Sequence, residues 1–148
     1  MDTKLLEKAN QIIKSCDSAG FGVLDENGYP TISAISLVKP ESVTELYFAT
    51  GLAGNKVKRL QKNNKSSICV FSGSDDDLYN ITLVGTAEIL TDQETKIKYW
   101  LDWFSHVYEG GITDPNYCVV KFTTKRVSMY INHEDAEIIL QTEAGQNV

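Results

Sequence analysis

No apolar run in this 148-residue chain approaches the roughly 18 residues that a membrane-spanning helix needs. The first residues, MDTKLLEKANQIIKSC, lack the apolar core of a secretory signal, so a cytoplasmic location is the expectation. Cysteine is scarce: Cys16, Cys69 and Cys118 lie far apart and form no C-x-x-C pair. Zinc and dithiol chemistry therefore have no support, and the three read as small apolar residues. Histidine is scarcer, with only His106 and His133, which leaves metal clusters and histidine-based triads short of members. Positive charge is in deficit, with a formal net charge of −6, and this argues against broad nucleic-acid binding. No two carboxylates are placed as a glycosidase pair, and the acidic SDDD run has no calcium-loop pattern.

What is present is the composition of a globular domain, 42% hydrophobic and 23% charged, long enough to bury one core. Residues 3–16 set Leu5, Leu6, Ala9, Ile12, Ile13 and Cys16 at helical spacing, which predicts an amphipathic helix. The run FGVLDENGYPTISAISLV reads as a hairpin, with strands 21–25 and 29–38 around Glu26-Asn27-Gly28. Asn-Gly is favoured there because both residues accept positive φ. Further strands are expected at 45–50, 66–73, 79–90, 117–123 and 126–132, with helices at 55–63 and 92–108. The second of these helices puts Ile97, Trp100, Phe104 and Val107 on one face. A single domain over 1–140 follows, with 141–148 expected to fray. Six or seven short strands joined mostly by tight turns point to a closed antiparallel barrel rather than a parallel sheet.

One stretch departs from the acidic background. In ATGLAGNKVKRL a strand ends at Gly51 and Gly54, and Asn55 and Lys56 then open a helix. Residues 55–65 carry five cations and no acid. A nucleotide P-loop is excluded, because the glycine spacing is short and Val57 replaces the magnesium-binding hydroxyl. Lys58, Lys62 and Lys65 share an outward face while Val57 and Leu60 can face a core, as on any solvated helix. Lys56 is different. A cation in the first turn opposes the helix dipole by about 0.3–1 kcal/mol, a cost that a bound anion would offset. Local residues alone leave a plain basic helix and a phosphate site equally open.

The ordered set of a P-x-x-S strand, a YFAT strand, a turn ending in Asn-Lys, a CVF strand and a VGTAEI strand spans most of the chain. It resembles the flavin-binding split barrels related to pyridoxamine 5′-phosphate oxidase, specifically the general stress protein 26 branch. The resemblance implies a mostly β fold with about three flanking helices, an antiparallel split β-barrel. It also implies a homodimer holding FMN at the subunit interface. In that arrangement Ser33, Ala34, Ile35 and Ser36 would edge the isoalloxazine, and Ala49 and Thr50 would lie beneath the ribityl phosphate. Asn55 and Lys56 would grip the phosphate, Asn80 would contact the ring, and Trp103 would lie against it. Ser33 and Asn55 stand where many members carry Arg. The C-terminus lacks the Arg- and His-containing segment of true pyridoxamine phosphate oxidases, so oxidation of pyridoxamine phosphate is not expected. The implied activity is an FMN-dependent oxidoreductase acting on a small substrate or electron donor, with no catalytic side chain assigned. Alternatives are a flavin-binding stress protein without turnover, or a split barrel using F420 or haem.

Overall fold

The computed structural model describes residues 3–142, so the expected frayed tail falls almost wholly outside them. In chain order the elements are α1 (Thr3–Lys14), β1 (Ser18–Leu24), β2 (Pro30–Ser36), β3 (Glu45–Gly51) and α2 (Asn55–Lys62). There follow β4 (Lys65–Ser74), β5 (Asp77–Leu90), α3 (Gln93–Lys98), 3-10 turns at Asp102–His106 and Gly111–Thr113, β6 (Tyr117–Ile131) and β7 (Glu134–Ile139).

The first hairpin forms where the Asn-Gly signal places it. Asp25 Oδ1 accepts from the N–H groups of Asn27 and Tyr29, both at 2.9 Å, and Gly28 supplies the positive φ of 82° that a side chain would resist. The strands are antiparallel neighbours in the order β2-β1-β4-β5-β6-β3, with β7 also paired to β6. The sheet does not close. Its two edge strands, β2 and β3, meet only beyond the end of β2, through the Leu37–Phe48 bridge and the bond from Val38 N–H to Tyr47 O at 2.9 Å. The closed barrel expected from strand lengths is thus corrected to a split one, as the family resemblance implies.

Alternate residues of β1, β3, β4, β5 and β6 point inward and make one core around Phe21, Phe48, Ile68, Leu83 and Phe122. Phe21 and Phe48 lie 4.8 Å apart, tilted by 59°. Each buried side chain of this size contributes about 2–3 kcal/mol by leaving water. Ala9 and Ile13 of α1 are buried in the same core, and Asn10 Oδ1 fixes the helix by accepting from Val43 N–H at 2.9 Å. A second, aromatic cluster gathers Val38, Phe104, Tyr108, Tyr117 and Val119. This cluster is what builds the site.

Three element expectations are corrected. The helix expected over 92–108 is α3 and a separate 3-10 turn, parted by Leu101 in extended conformation. Trp100 and Phe104 still touch edge to face, at 5.5 Å, because both pack on Tyr117. Tertiary packing, not helical geometry, keeps that contact. The strands expected at 117–123 and 126–132 are one strand, β6, with a bulge where the register against β5 steps from Val84–Arg126 to Gly85–Thr124. Gly85 faces the bulge, where an added Cβ would stand 2.0 Å from Thr123 O. Finally, β7 was not expected. It follows a tight turn in which Asn132 and His133 take φ of 54° and 65°, so His133 is a turn residue, bonded to Tyr130 Oη at 3.2 Å.

Candidate functional site

The split between the edge strands holds a cleft of about 170 Å³. Its floor is Ala34, Ile35 and Ser36 of β2 with Ala49 of β3. Edge strands leave half of their backbone N–H and C=O groups unpaired, so this floor offers donors and acceptors as well as apolar surface. Lys56 enters from α2, while Trp103, Phe104, Val107 and Tyr108 enter from the segment after α3.

The glycine turn sets the position of Lys56. Gly54 caps α2 without a side-chain hydrogen bond, and the first turn carries no acid. The N–H groups there keep their positive potential for an outside acceptor. Val57 and Leu60 are buried under the helix while Lys58, Lys62 and Lys65 are exposed, and Lys56 is half-buried. Lys56 is the one Lys, Arg, Asp or Glu among the lining residues, and burial pushes the Tyr108 hydroxyl up to about 12.

The aromatic wall follows from the second cluster. Phe104 is buried, with Trp103 packed edge-on against it at 4.8 Å. Trp103 itself remains 48% exposed. A large aromatic surface left half in water beside a cation is suited to a flat, polar-edged ligand.

Six of the ten residues expected to hold a cofactor come together here: Ala34, Ile35, Ser36, Ala49, Lys56 and Trp103. Ser33 and Thr50 lie in the same strands but do not line the cleft, and Asn55 is the exposed first residue of α2. Asn80 is elsewhere. It stands on the outer face of the sheet in a separate cleft of about 460 Å³ with Thr82, Ser128 and Tyr130. Phe104, expected on one face of the 92–108 helix, and Tyr108, given no role from sequence, also line the cleft. Their signal was the aromatic density of residues 99–108, which does not separate core from cleft.

Of the cysteines only Cys118 is buried, its thiol raised to about 11 by desolvation. Cys16 and Cys69 are half-buried. Neither histidine lines the cleft, and both are exposed. Among the described residues no group of His, Cys, Asp or Glu could hold a metal, and no helix is long and apolar enough to cross a membrane.

A split antiparallel barrel with a single-cation, aromatic-walled cleft between its edge strands defines the class of protein. The chain belongs to the pyridoxamine 5′-phosphate oxidase-like family, whose model matches residues 4–145. It is 31% identical to a Clostridium acetobutylicum protein related to general stress protein 26 of B. subtilis, of the pyridoxinephosphate oxidase family. The two structures agree at a TM-score of 0.83, over 95% of this chain and 97% of that one. General stress protein 26 of Bacillus anthracis is similar at 21% identity and a TM-score of 0.71, over 90% and 98% of the chains. A haem-binding protein of Mycobacterium smegmatis shares the fold at 18% identity and 0.72, over 90% of this chain and 57% of its own. No curated protein matches significantly.

Proposed function

We propose that this protein is an FMN-binding homodimer that acts as an oxidoreductase on a small substrate. The observation that carries the reading is Lys56, the one charged side chain lining a cleft whose other parts are free strand edge and a half-exposed indole. Lys56 Nζ and the N–H groups of the first turn of α2 are suited to a phosphate dianion. The unpaired edge of β2 is suited to the polar rim of an isoalloxazine, and Trp103 to its face. Bound FMN would supply the electron-transfer chemistry; the chain binds, orients and shields it. With cytoplasmic location as the working expectation, the electron donor would be a soluble one.

A volume of about 170 Å³ is smaller than the roughly 300–1,000 Å³ of ordinary small-molecule sites, so one chain supplies part of the pocket. The outer sheet face supports the other part coming from a second copy. In register across β2, β1, β4 and β5 it carries Ala34, Gly20, Cys69 and Thr82, with Gly22 and Ser67 alongside. Ile32 and Phe71 stand on it 80% and 74% exposed. With small residues in register and two exposed apolar side chains, such a face suits self-association. Asn80 lies on it, so its contact with a ring would be made in the partner's cleft.

The C. acetobutylicum relative supports the same family-level reading, and the M. smegmatis neighbour introduces haem. Haem is disfavoured here because neither His106 nor His133 reaches the cleft. The test is the visible spectrum of the purified protein before and after adding FMN, followed by NADH- or NADPH-driven reduction. Uptake of FMN with turnover supports the proposal. Uptake without turnover would make it a flavin carrier, and no uptake would overturn the flavin reading.

A further inference from the structure

The two sides of the cleft are separate in sequence, yet both hang from three consecutive residues, Asp114-Pro115-Asn116. Asn116 holds the phosphate side. Its carbonyl accepts from Leu52 N–H at 2.7 Å, and its side-chain Oδ1 accepts from Ala53 N–H at 3.0 Å. Within the turn itself, Gly54 N–H donates to Gly51 O at 3.0 Å. The turn that delivers Lys56 is therefore pinned through one residue, by both its backbone and its side chain. The approach is close: a Cβ at Gly51 would meet Asn116 Nδ2 at 3.0 Å.

Asp114 holds the aromatic side. Its carboxylate accepts from Gly110 N–H at 3.0 Å and from Asn116 N–H at 2.9 Å. Its carbonyl accepts from the buried Lys96 Nζ at 3.0 Å, while Tyr117 Oη donates to Lys96 O at 2.8 Å. The segment carrying Trp103 is thus clamped at both ends, by α3 and by the start of β6.

We infer that Asn116 is a positioning residue for the phosphate side of the cleft and Asp114 for the aromatic side, so that this corner sets the distance between them. The inference rests on the FMN reading. Asn116 touches no ligand; it acts through the turn and hence through Lys56. Truncating its amide releases Ala53 N–H and lets the start of α2 drift, while leaving β2 and Trp103 in place.

Riboflavin keeps the ring of FMN and lacks the phosphate, so the pair separates the two sides. Titrations of each against the protein by flavin fluorescence would be run for wild type, Asn116→Ala and Asp114→Ala, with amide exchange at Ala53 as a ligand-free readout. Asn116→Ala should cost about tenfold in FMN affinity, the scale of one lost hydrogen bond, leave riboflavin within about twofold, and speed exchange at Ala53. Asp114→Ala should weaken both flavins by a similar factor. Should the alanine variant fold poorly, Asn116→Ser is too short to reach Ala53 and carries the same expectation. Equal losses for both flavins in the Asn116 variants, or no loss with unchanged exchange, would overturn the inference alone. Wild-type protein that binds neither flavin would overturn the FMN reading and this inference with it.

Discussion

Lys56 and Trp103 line one cleft although the first opens α2 and the second lies in the 3-10 turn after α3. A cation and a half-exposed indole brought together from distant segments have different jobs, and replacing each should give a different loss. Lys56→Ala removes the charge that, in the proposed complex, would face the FMN phosphate. Charge-assisted hydrogen bonds are worth about 1.5–3 kcal/mol, so FMN affinity should fall by roughly ten- to a hundredfold, read by fluorescence titration. Unchanged affinity would remove the phosphate assignment.

Trp103 tests the ring. Aromatic pairs add about 0.5–1.5 kcal/mol beyond burial, so Trp103→Ala should weaken FMN and riboflavin alike, by up to about tenfold. Trp103→Phe should recover most of that. If the alanine variant binds both flavins as wild type does, the indole is surface and not a wall of the site.

How much of this was legible beforehand differs by element. The hairpin at Asp25–Tyr29 was, because Asn-Gly has few alternatives to a positive-φ turn. So was the inward placement of Val57 and Leu60, where helical period and burial agree. The break at Leu101 was not. Trp100 and Phe104 meet Tyr117 from a non-helical path that keeps the same spacing, and periodicity cannot tell the two apart. The bulge at Lys125 was also hidden. Thr-Thr-Lys-Arg reads as a polar interruption, and it does not show that Thr123 O packs against Gly85 on the neighbouring strand. In the site, six of the residues picked out by the family motifs line one cleft, while Asn80 lies in a separate cleft on the outer face of the sheet.

Gly85 carries a stability prediction. A methyl there would collide with Thr123 O, 2.0 Å from an ideal Cβ, and that oxygen is backbone that cannot swing aside. Overpacking typically costs about 1–3 kcal/mol and more where backbone must move. Gly85→Ala should therefore lower the unfolding free energy by about 3 kcal/mol in urea titration. A variant as stable as wild type would mean that the β5–β6 bulge is absent in solution.

Asp114 carries a pH prediction. Hydrogen bonds from Asn116 and Gly110 N–H hold its carboxyl below the usual carboxylate value. A lowered folded-state pKa adds stability that is present above the unfolded value and lost as pH falls through the folded one. Asp92, bonded to Thr95, and Glu26, bonded chiefly through backbone, are lowered too and share that acid limb. Asp114→Asn should thus destabilise the protein near neutral pH and make the fall in thermal midpoint between about pH 5 and 3 shallower. A slope identical to wild type would show that the carboxylate contributes nothing to folding.

The outer sheet face gives the last prediction. Ile32 lies across Gly20, where an added Cβ would be 3.3 Å from its Cγ2. It is still 80% exposed in the single chain. Fully covering such a side chain is worth about 1.5–3 kcal/mol, and in a two-fold dimer each residue counts twice. Ile32→Glu would instead place two carboxylates in an apolar contact. Sedimentation velocity should therefore find wild-type dimer and Ile32→Glu monomer. If the flavin site needs the partner's face, the monomeric variant should also lose FMN while circular dichroism stays native, although Ile32 does not line the cleft. A wild-type monomer that binds FMN would show that one chain's cleft suffices, and the role given to Asn80 across the interface would fall with the dimer.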